Sequence, residues 1–338
     1  MAGRDPAALG QEELSPASDA GGLERPGCSP RVPDLRILVI LEPLAVAAPA
    51  RRGPVRREAA LRRRARMESM ALHIKNPGEQ PGVYPVVRRG DALKHLSFTI
   101  VELGGSMTAH TFETGAEEMS LDSYTGAYEV VCEGAYGRWS AQVPARPSIR
   151  DAHPMVYLPS GSKVTLRALS GPARITVAGA EGKDGMRPVL VERDAIIART
   201  VGKDNWTRTV FTHIADNIPA AHLICGETVN RPGGWSSCPP HKHDEFGDGE
   251  VPMEEVYYFQ SDPPQGFGFM RLYTHPGAAD PFDLAFPVQH GDTVLIPRGY
   301  HPVAACPGYS LNYTWVLAGE GRTYGAWKDD PNHVWIKS

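Results

Sequence analysis

Two imidazoles one residue apart, in Pro239-Pro240-His241-Lys242-His243, are the most chemically pointed feature of this chain. Side chains on a strand alternate between faces, so His241 and His243 project to one side and Lys242 to the other. Both rings can then reach one ion held inside a barrel. Further along stand the carboxylates of Glu254 and Glu255 and, after Pro297-Arg298-Gly299-Tyr300, a third imidazole, His301. Pro297 and Gly299 predict a tight turn that returns His301 to the interior. A His, His, Glu, His donor set suits one divalent metal ion (Zn, Mn, Fe or Ni) and disfavours Cu(I) or an iron–sulfur cluster. The adjacent glutamates cannot both face inward on a regular strand. With Glu255 inside, Tyr257 and Phe259 line the cavity; with Glu254 inside, Val256 and Tyr258 do.

Positioning such a set requires strands, and the chain is patterned for them. From about Leu72 onward, short apolar runs alternate with Gly, Pro, Asn and Asp. Leu96–Leu103, Ala127–Cys132, Met155–Leu158, Lys163–Ala168 and Ala173–Ala178 read as strands of a first half. Arg208–Ile214, Glu255–Phe259, Phe267–Tyr273, Thr293–Ile296 and Leu311–Val316 read as strands of a second half. Long amphipathic helical windows are missing, although a short helix could follow Pro276 or lie near the C-terminus. Glycine (35) and proline (31) are abundant, in keeping with a turn-rich, all-β chain. Each half also has a Glu-led strand ahead of a strand ending in Pro-x-Gly: Glu129–Gly134 before Tyr157–Gly161, and Glu255–Phe259 before Leu295–Gly299. This repetition predicts two β-barrels in tandem, joined near Glu181–Thr200. The expected division is an extension over residues 1–70, a first barrel over 71–190 and a second over 191–338. The first barrel offers no equivalent donor set: His110 lies near Glu113 and Glu117, but Pro159-Ser160-Gly161-Ser162 lacks a following histidine.

The extension differs in kind. Arg51 to Arg66 holds eight arginines against the single acid Glu58. It reads as a disordered arm, with Met67 or Met70 as a functional start. Leu35–Ala48 is too short and too interrupted to span a bilayer. A net charge of −4 exerts no general pull toward nucleic acid or an anionic membrane, and neither is an expected partner. The five cysteines are dispersed and lack a CxxC pair, which fits a reduced, cytoplasmic compartment. Exposed sandwich faces leave room for a homo-oligomer.

The pattern His-x-His, Glu, Pro-x-Gly-x-His resembles the two motifs of the cupin superfamily. Pro239-Pro240-His241-Lys242-His243-Asp244, Glu254-Glu255-Val256-Tyr257-Tyr258-Phe259, Asn312-Tyr313-Thr314-Trp315 and Gly202-Lys203-Asp204-Asn205-Trp206-Thr207-Arg208 together resemble one family within it. That family is the 5-deoxy-glucuronate isomerases of myo-inositol catabolism, and the similarity runs from Leu72 to Trp335. A sister family, the uronate isomerases of pectin breakdown, has its ligand glutamate directly before Val-Tyr, which maps onto Glu255. One departure is the ten-residue stretch Asp244–Met253 ahead of the glutamate pair, longer than is usual in cupins and expected to be a hairpin at the barrel mouth.

What the resemblance implies is a tandem cupin (bicupin) of double-stranded β-helix barrels that binds one metal through His241, His243, Glu255 and His301. The implied reaction is the aldose–ketose isomerisation of 5-deoxy-glucuronate, a sugar acid, to 5-dehydro-2-deoxy-gluconate. The ion would polarise the carbonyl, and an acid–base group would move the proton. Glu254, Tyr257 and Tyr313 are the candidates for that group. Arg298 and Arg271 are candidates for binding the unreactive carboxylate. Rival readings are the pectin-pathway isomerase, a cupin dioxygenase, and a non-enzymatic cupin that binds sugar acids.

Overall fold

Apolar runs broken by glycine and proline become antiparallel strands here. The computed structural model describes residues 72–338 apart from Asp248, so the expectations for residues 1–70 lie outside it. Met155–Leu158, Arg208–Ile214, Phe267–Tyr273 and Thr293–Ile296 are strands with the predicted bounds. The first half differs in one respect: the expected runs Lys163–Ala168 and Ala173–Ala178 fuse into one long strand, Lys163–Glu181, and Ala127–Cys132 is the end of another, Glu117–Gly134. Gly126 and Pro172 fall where the two pair, and register shifts around Ser123–Tyr128 absorb them as bulges instead of ending the strands. Short 3-10 turns lie at Asp204–Trp206 and Val334–Lys337, the latter near the C-terminus as anticipated; the segment after Pro276 holds no helix.

The first half forms an eight-stranded sheet centred on the two long strands. The second half divides between a seven-stranded sheet, which includes Met253–Asp262, Ser310–Gly319, Ile224–Asn230, Arg208–Ile214 and Ile197–Val201, and a four-stranded sheet built on Phe267–Tyr273. An apolar cluster containing Tyr257, Phe259, Leu272, Phe286, Val303 and Tyr313 fills the second half. Another core joins the halves, packing Phe98, Ile100 and Tyr157 with Phe211, Val256 and Tyr258. Met253–Asp262 is therefore buried on both faces, Tyr257 and Phe259 on one and Val256 and Tyr258 on the other.

The register shows where the halves correspond. Leu158, just before Pro159, lies opposite Met119, and Ile296, just before Pro297, lies opposite Glu255. The counterpart of Glu254-Glu255 is thus Glu118-Met119, not the Glu129 run expected from the sequence. Glu129 lies beyond the bulged bend, where its strand pairs with Gly137–Val143 instead. The two equivalent glutamates brace the halves reciprocally. Buried Glu118 accepts backbone N–H bonds from Ala221, His222 and Leu223 at 2.7, 2.7 and 2.8 Å, while Glu254 accepts those of Lys94 and His95 at 2.9 and 2.7 Å. The strand His73–Ile74 joins the second-half sheet against Thr293–Ile296 and not the sheet that follows it in sequence.

Candidate metal centre

Strand pleating assembles the site. In the seven-stranded sheet Glu255 lies opposite Leu317, Tyr257 opposite Trp315 and Phe259 opposite Tyr313; Tyr313 lies opposite Thr228, and Thr228 opposite Val210. Directly opposed residues share a face, so Glu255, Tyr257, Tyr313, Trp315, Thr228 and Val210 point the same way. They line one cavity of about 370 Å³ together with His241 and His243.

His241 enters from the short strand His241–Lys242, and its ring lies 5.1 Å from that of Trp327. His301 arrives by the Pro297–Gly299 turn. Gly299 has φ +97° and a Cβ there would stand 2.6 Å from the Tyr273 carbonyl oxygen, so a side chain would force this turn open. Its N–H donates to Asp244 Oδ2 at 2.7 Å. The long acidic loop is thereby tied to the turn that carries His301.

Donor atoms of His241, His243 and His301 all lie within 4.8 Å of one another. Glu255 Oε2 is 3.3 Å from Nε2 of His243 and 3.3 Å from Nε2 of His301. Each ring also engages a main-chain carbonyl: His243 Nδ1 with Met253 O at 2.7 Å, His301 Nδ1 with Gly299 O at 2.9 Å, and His241 with Pro239. With Nδ1–H donating to a carbonyl, Nε2 of His243 and His301 keeps its lone pair for the cavity. Nε2 of His301 is fully buried and makes no hydrogen bond, its approach to Glu255 being poorly aligned for one. Ligands around one ion at about 2.1 Å stand roughly 3.0–3.4 Å apart, and both Glu255 contacts fall in that range. The residues present fit a divalent ion.

Electrostatics favour the neutral ring at His241 and His301 and oppose it at His243. Burial, then the neighbouring imidazoles, holds His241 well below the usual histidine range. Burial brings His301 down to about 4 despite Glu255. For His243 burial acts downward as well, but the hydrogen-bonded Glu255 carboxylate lifts it overall. Neutral imidazoles are the metal-binding form.

Of the residues singled out from sequence, His241, His243, Glu255, His301, Tyr257 and Tyr313 converge here. Three do not. Glu254 faces away from the cavity, its carboxylate accepting the Lys94 and His95 N–H groups. Arg271 sits on the outer face of its strand, bonded to Asp283 at 2.8 and 2.7 Å and with its side chain 48% exposed. Arg298 turns outward over the Phe282 ring and donates to the Asp280 carbonyl at 2.7 Å. Neither arginine lines the cavity. Closeness in sequence to His301 misled, because a turn residue and its neighbour leave the chain in different directions. Lys242 points away from the ring cluster and bonds Glu250 and Asp244, as alternation required. The sequence reading missed Arg208, Arg199 and Asp329, which line the cavity from strands far from the motif. Their signal was register, which needs the pairing partners. Among the described residues, no comparable donor group forms in the first half.

Antiparallel sheets enclosing a His/Glu cluster define a cupin-like protein. The chain belongs to the KduI/IolB family, whose pattern matches residues 72–336. It is 32% identical over 260 residues to the 5-deoxy-glucuronate isomerase of Bacillus velezensis, covering 75% of this chain and 92% of that protein. With the enzyme of the same name from Geobacillus thermodenitrificans it is 30% identical over 273 residues, 80% of this chain and 96% of the other. Among solved structures it is similar to an IolB-like protein of Salmonella typhimurium, with TM-score 0.72 and 28% identity over 79% of this chain and 99% of that one. Oxalate decarboxylase of Lactobacillus farciminis superposes with TM-score 0.53 at 14% identity, covering 76% of this chain and 88% of the other, a likeness of fold alone.

Proposed function

We propose that this protein is a metal-dependent aldose–ketose isomerase that converts 5-deoxy-glucuronate to 5-dehydro-2-deoxy-gluconate in inositol catabolism. The observation that carries this reading is the gathering of His241, His243 and His301 donor atoms within 4.8 Å of one another, with Glu255 3.3 Å from two of the rings, in a chain whose named relatives are 5-deoxy-glucuronate isomerases. His241, His243, Glu255 and His301 would hold one divalent ion (Zn, Mn, Fe or Ni). When bound, such an ion supplies Lewis-acid polarisation of the aldehyde oxygen and stabilises developing enediolate charge by several kcal/mol.

The chain's own residues do the rest. Burial and then Glu255 raise Tyr257 well above the usual phenol range. Burial raises Tyr313 too, and its hydroxyl donates to Ser236 Oγ at 2.8 Å. Both phenols therefore stay protonated near neutrality. Tyr257 serves as a donor to a substrate oxygen, and Tyr313 shapes the wall behind it through rings 4.4 Å apart. The proton on carbon needs an acceptor. With Glu255 in the cluster, Asp329 is the other carboxylate on the wall; it lies opposite His241 in register and so shares its face.

The two halves are read as tandem cupin barrels divided near residue 190, with His73–Ile74 as a strand lent to the second. The free thiols of Cys132, Cys225, Cys238 and Cys306 support the cytoplasmic setting. Among the described residues no helix is long and apolar enough to cross a membrane. A homo-oligomer remains part of the proposal.

The deciding experiment follows 5-deoxy-glucuronate under nitrogen by NMR. Loss of the aldehyde signal with growth of the ketose product is expected; no turnover by metal-replete protein would refute the reading, and turnover only in air would favour an oxygenase.

A further inference from the structure

The Gly202–Arg208 run takes no part in the ion cluster, yet it borders the same cavity. Strands Ile197–Val201 and Arg208–Ile214 pair with Val201 opposite Arg208 and Arg199 opposite Val210. All four residues share one face and line the cavity. The 3-10 turn Asp204–Trp206 sets Trp206 beside Arg208, with the guanidinium carbon 5.5 Å from the ring centroid and Nη1 donating to the Trp206 carbonyl at 3.3 Å. Gly202, at φ +85°, makes room: a Cβ there would collide with that carbonyl oxygen and stand 2.9 Å from Arg208 Nη1. Arg208 is thus stacked and oriented before any ligand arrives.

The charges on the wall are unequally matched. Lys337 pairs with Asp329, and Glu255 is engaged with the histidines. Arg208 and Arg199 have no carboxylate at ion-pair distance among the described residues. A half-buried guanidinium fork without an anion is a receptor for one, and its planar geometry matches a carboxylate bidentately. Arg208 is also near enough to the cluster for its charge to depress His241, behind burial and the other imidazoles. A cavity of about 370 Å³ holds a six-carbon chain between the two ends.

Resting on the isomerase reading, we propose that Arg208, clamped by Gly202 and Trp206 and seconded by Arg199, binds the unreactive carboxylate of the sugar acid and makes the enzyme select uronic acids over neutral aldoses. The test compares 5-deoxy-glucuronate with its uronamide, which keeps the reacting end and loses the charge. Wild type should favour the acid by roughly 10- to 100-fold in kcat/KM, mostly through KM. Arg208→Gln should erase that preference by weakening the acid alone, and Arg208→Lys should restore part of it, since a point charge replaces a fork. Metal content and Tm of both variants are measured alongside, and calorimetry with D-gluconate reads carboxylate binding without turnover. Equal use of acid and amide by wild type, or an unchanged preference in Arg208→Gln, would overturn the assignment while leaving the isomerase intact. Wild type that binds D-gluconate through Arg208 but turns over neither substrate would instead fault the isomerase reading.

Discussion

Each of the three histidines spends a ring contact on a main-chain carbonyl, of Pro239, Met253 or Gly299, and those contacts aim the cluster. Removing rings should therefore remove the ion without unfolding the sheet. In a His241→Ala, His243→Ala double variant, elemental analysis is expected to fall from about one divalent ion per chain to near zero, with far-UV circular dichroism unchanged. Asp329→Asn makes the contrasting case. It should keep its metal and lose about two to four orders of magnitude in kcat, the usual value of a placed acid–base group. Retained kcat in that variant would move the proton acceptor elsewhere.

Between elements, the halves are joined by charge as well as by apolar packing. Glu118→Ala would strip the acceptor from the N–H groups of Ala221, His222 and Leu223 and from the Tyr157 hydroxyl. A loss of roughly 3 kcal/mol or more is expected in denaturant melts, since each orphaned buried donor costs about 1–3 kcal/mol. A second joint holds two buried acids against one cation: Arg146 is bidentate to Glu227, and Asp122 Oδ1 lies 3.8 Å from the guanidinium. Asp122 Oδ2 accepts the Thr314 hydroxyl at 2.7 Å from the other half. Burial, followed by the charge of Glu227, raises Asp122 from 3.8 to about 7. Glu227 is brought down to about 2 because Arg146 outweighs its burial. The signs are opposite. Asp122 stays protonated in the folded chain where the unfolded chain has ionised, so stability should fall as pH climbs from about 4 to about 7. The Glu227 contribution is present above about 4.5 and is lost as pH drops toward 2. Thermal melts of Asp122→Asn should show a flatter profile between pH 4 and 7 than wild type; an identical slope would mean that Asp122 ionises freely.

For the whole molecule, the start of the described chain acts at a distance. Asp292, in the second half, accepts from His73 at 2.9 Å, Lys75 at 2.8 Å and the Asn76 N–H at 3.1 Å. Truncation to Met67 should leave turnover and Tm unaltered, whereas truncation to Gly78 should lower Tm by removing a sheet strand and orphaning a buried carboxylate. Equal stability of the two truncations would show that the His73–Ile74 strand is dispensable.

Donor types, their period-two alternation and the Pro-x-Gly turn are local properties, and so the all-β class and the candidate histidines with a glutamate pair beside them were legible in the residues themselves. Resemblance chose Glu255 over Glu254, and the backbone donors of Lys94 and His95 explain physically why Glu254 is unavailable. Which arginines face the cavity could not be read, because sidedness across a sheet depends on register between strands far apart in sequence. Arg298 lies three residues from His301 yet turns outward, while Arg208 lies some thirty residues before His241 and turns in. Similarly, Glu118 rather than Glu129 proved the counterpart of Glu254, since a bulge resets the alternation that a linear pattern assumes. Local chemistry is written residue by residue; the meeting of distant side chains is decided only when strands pair.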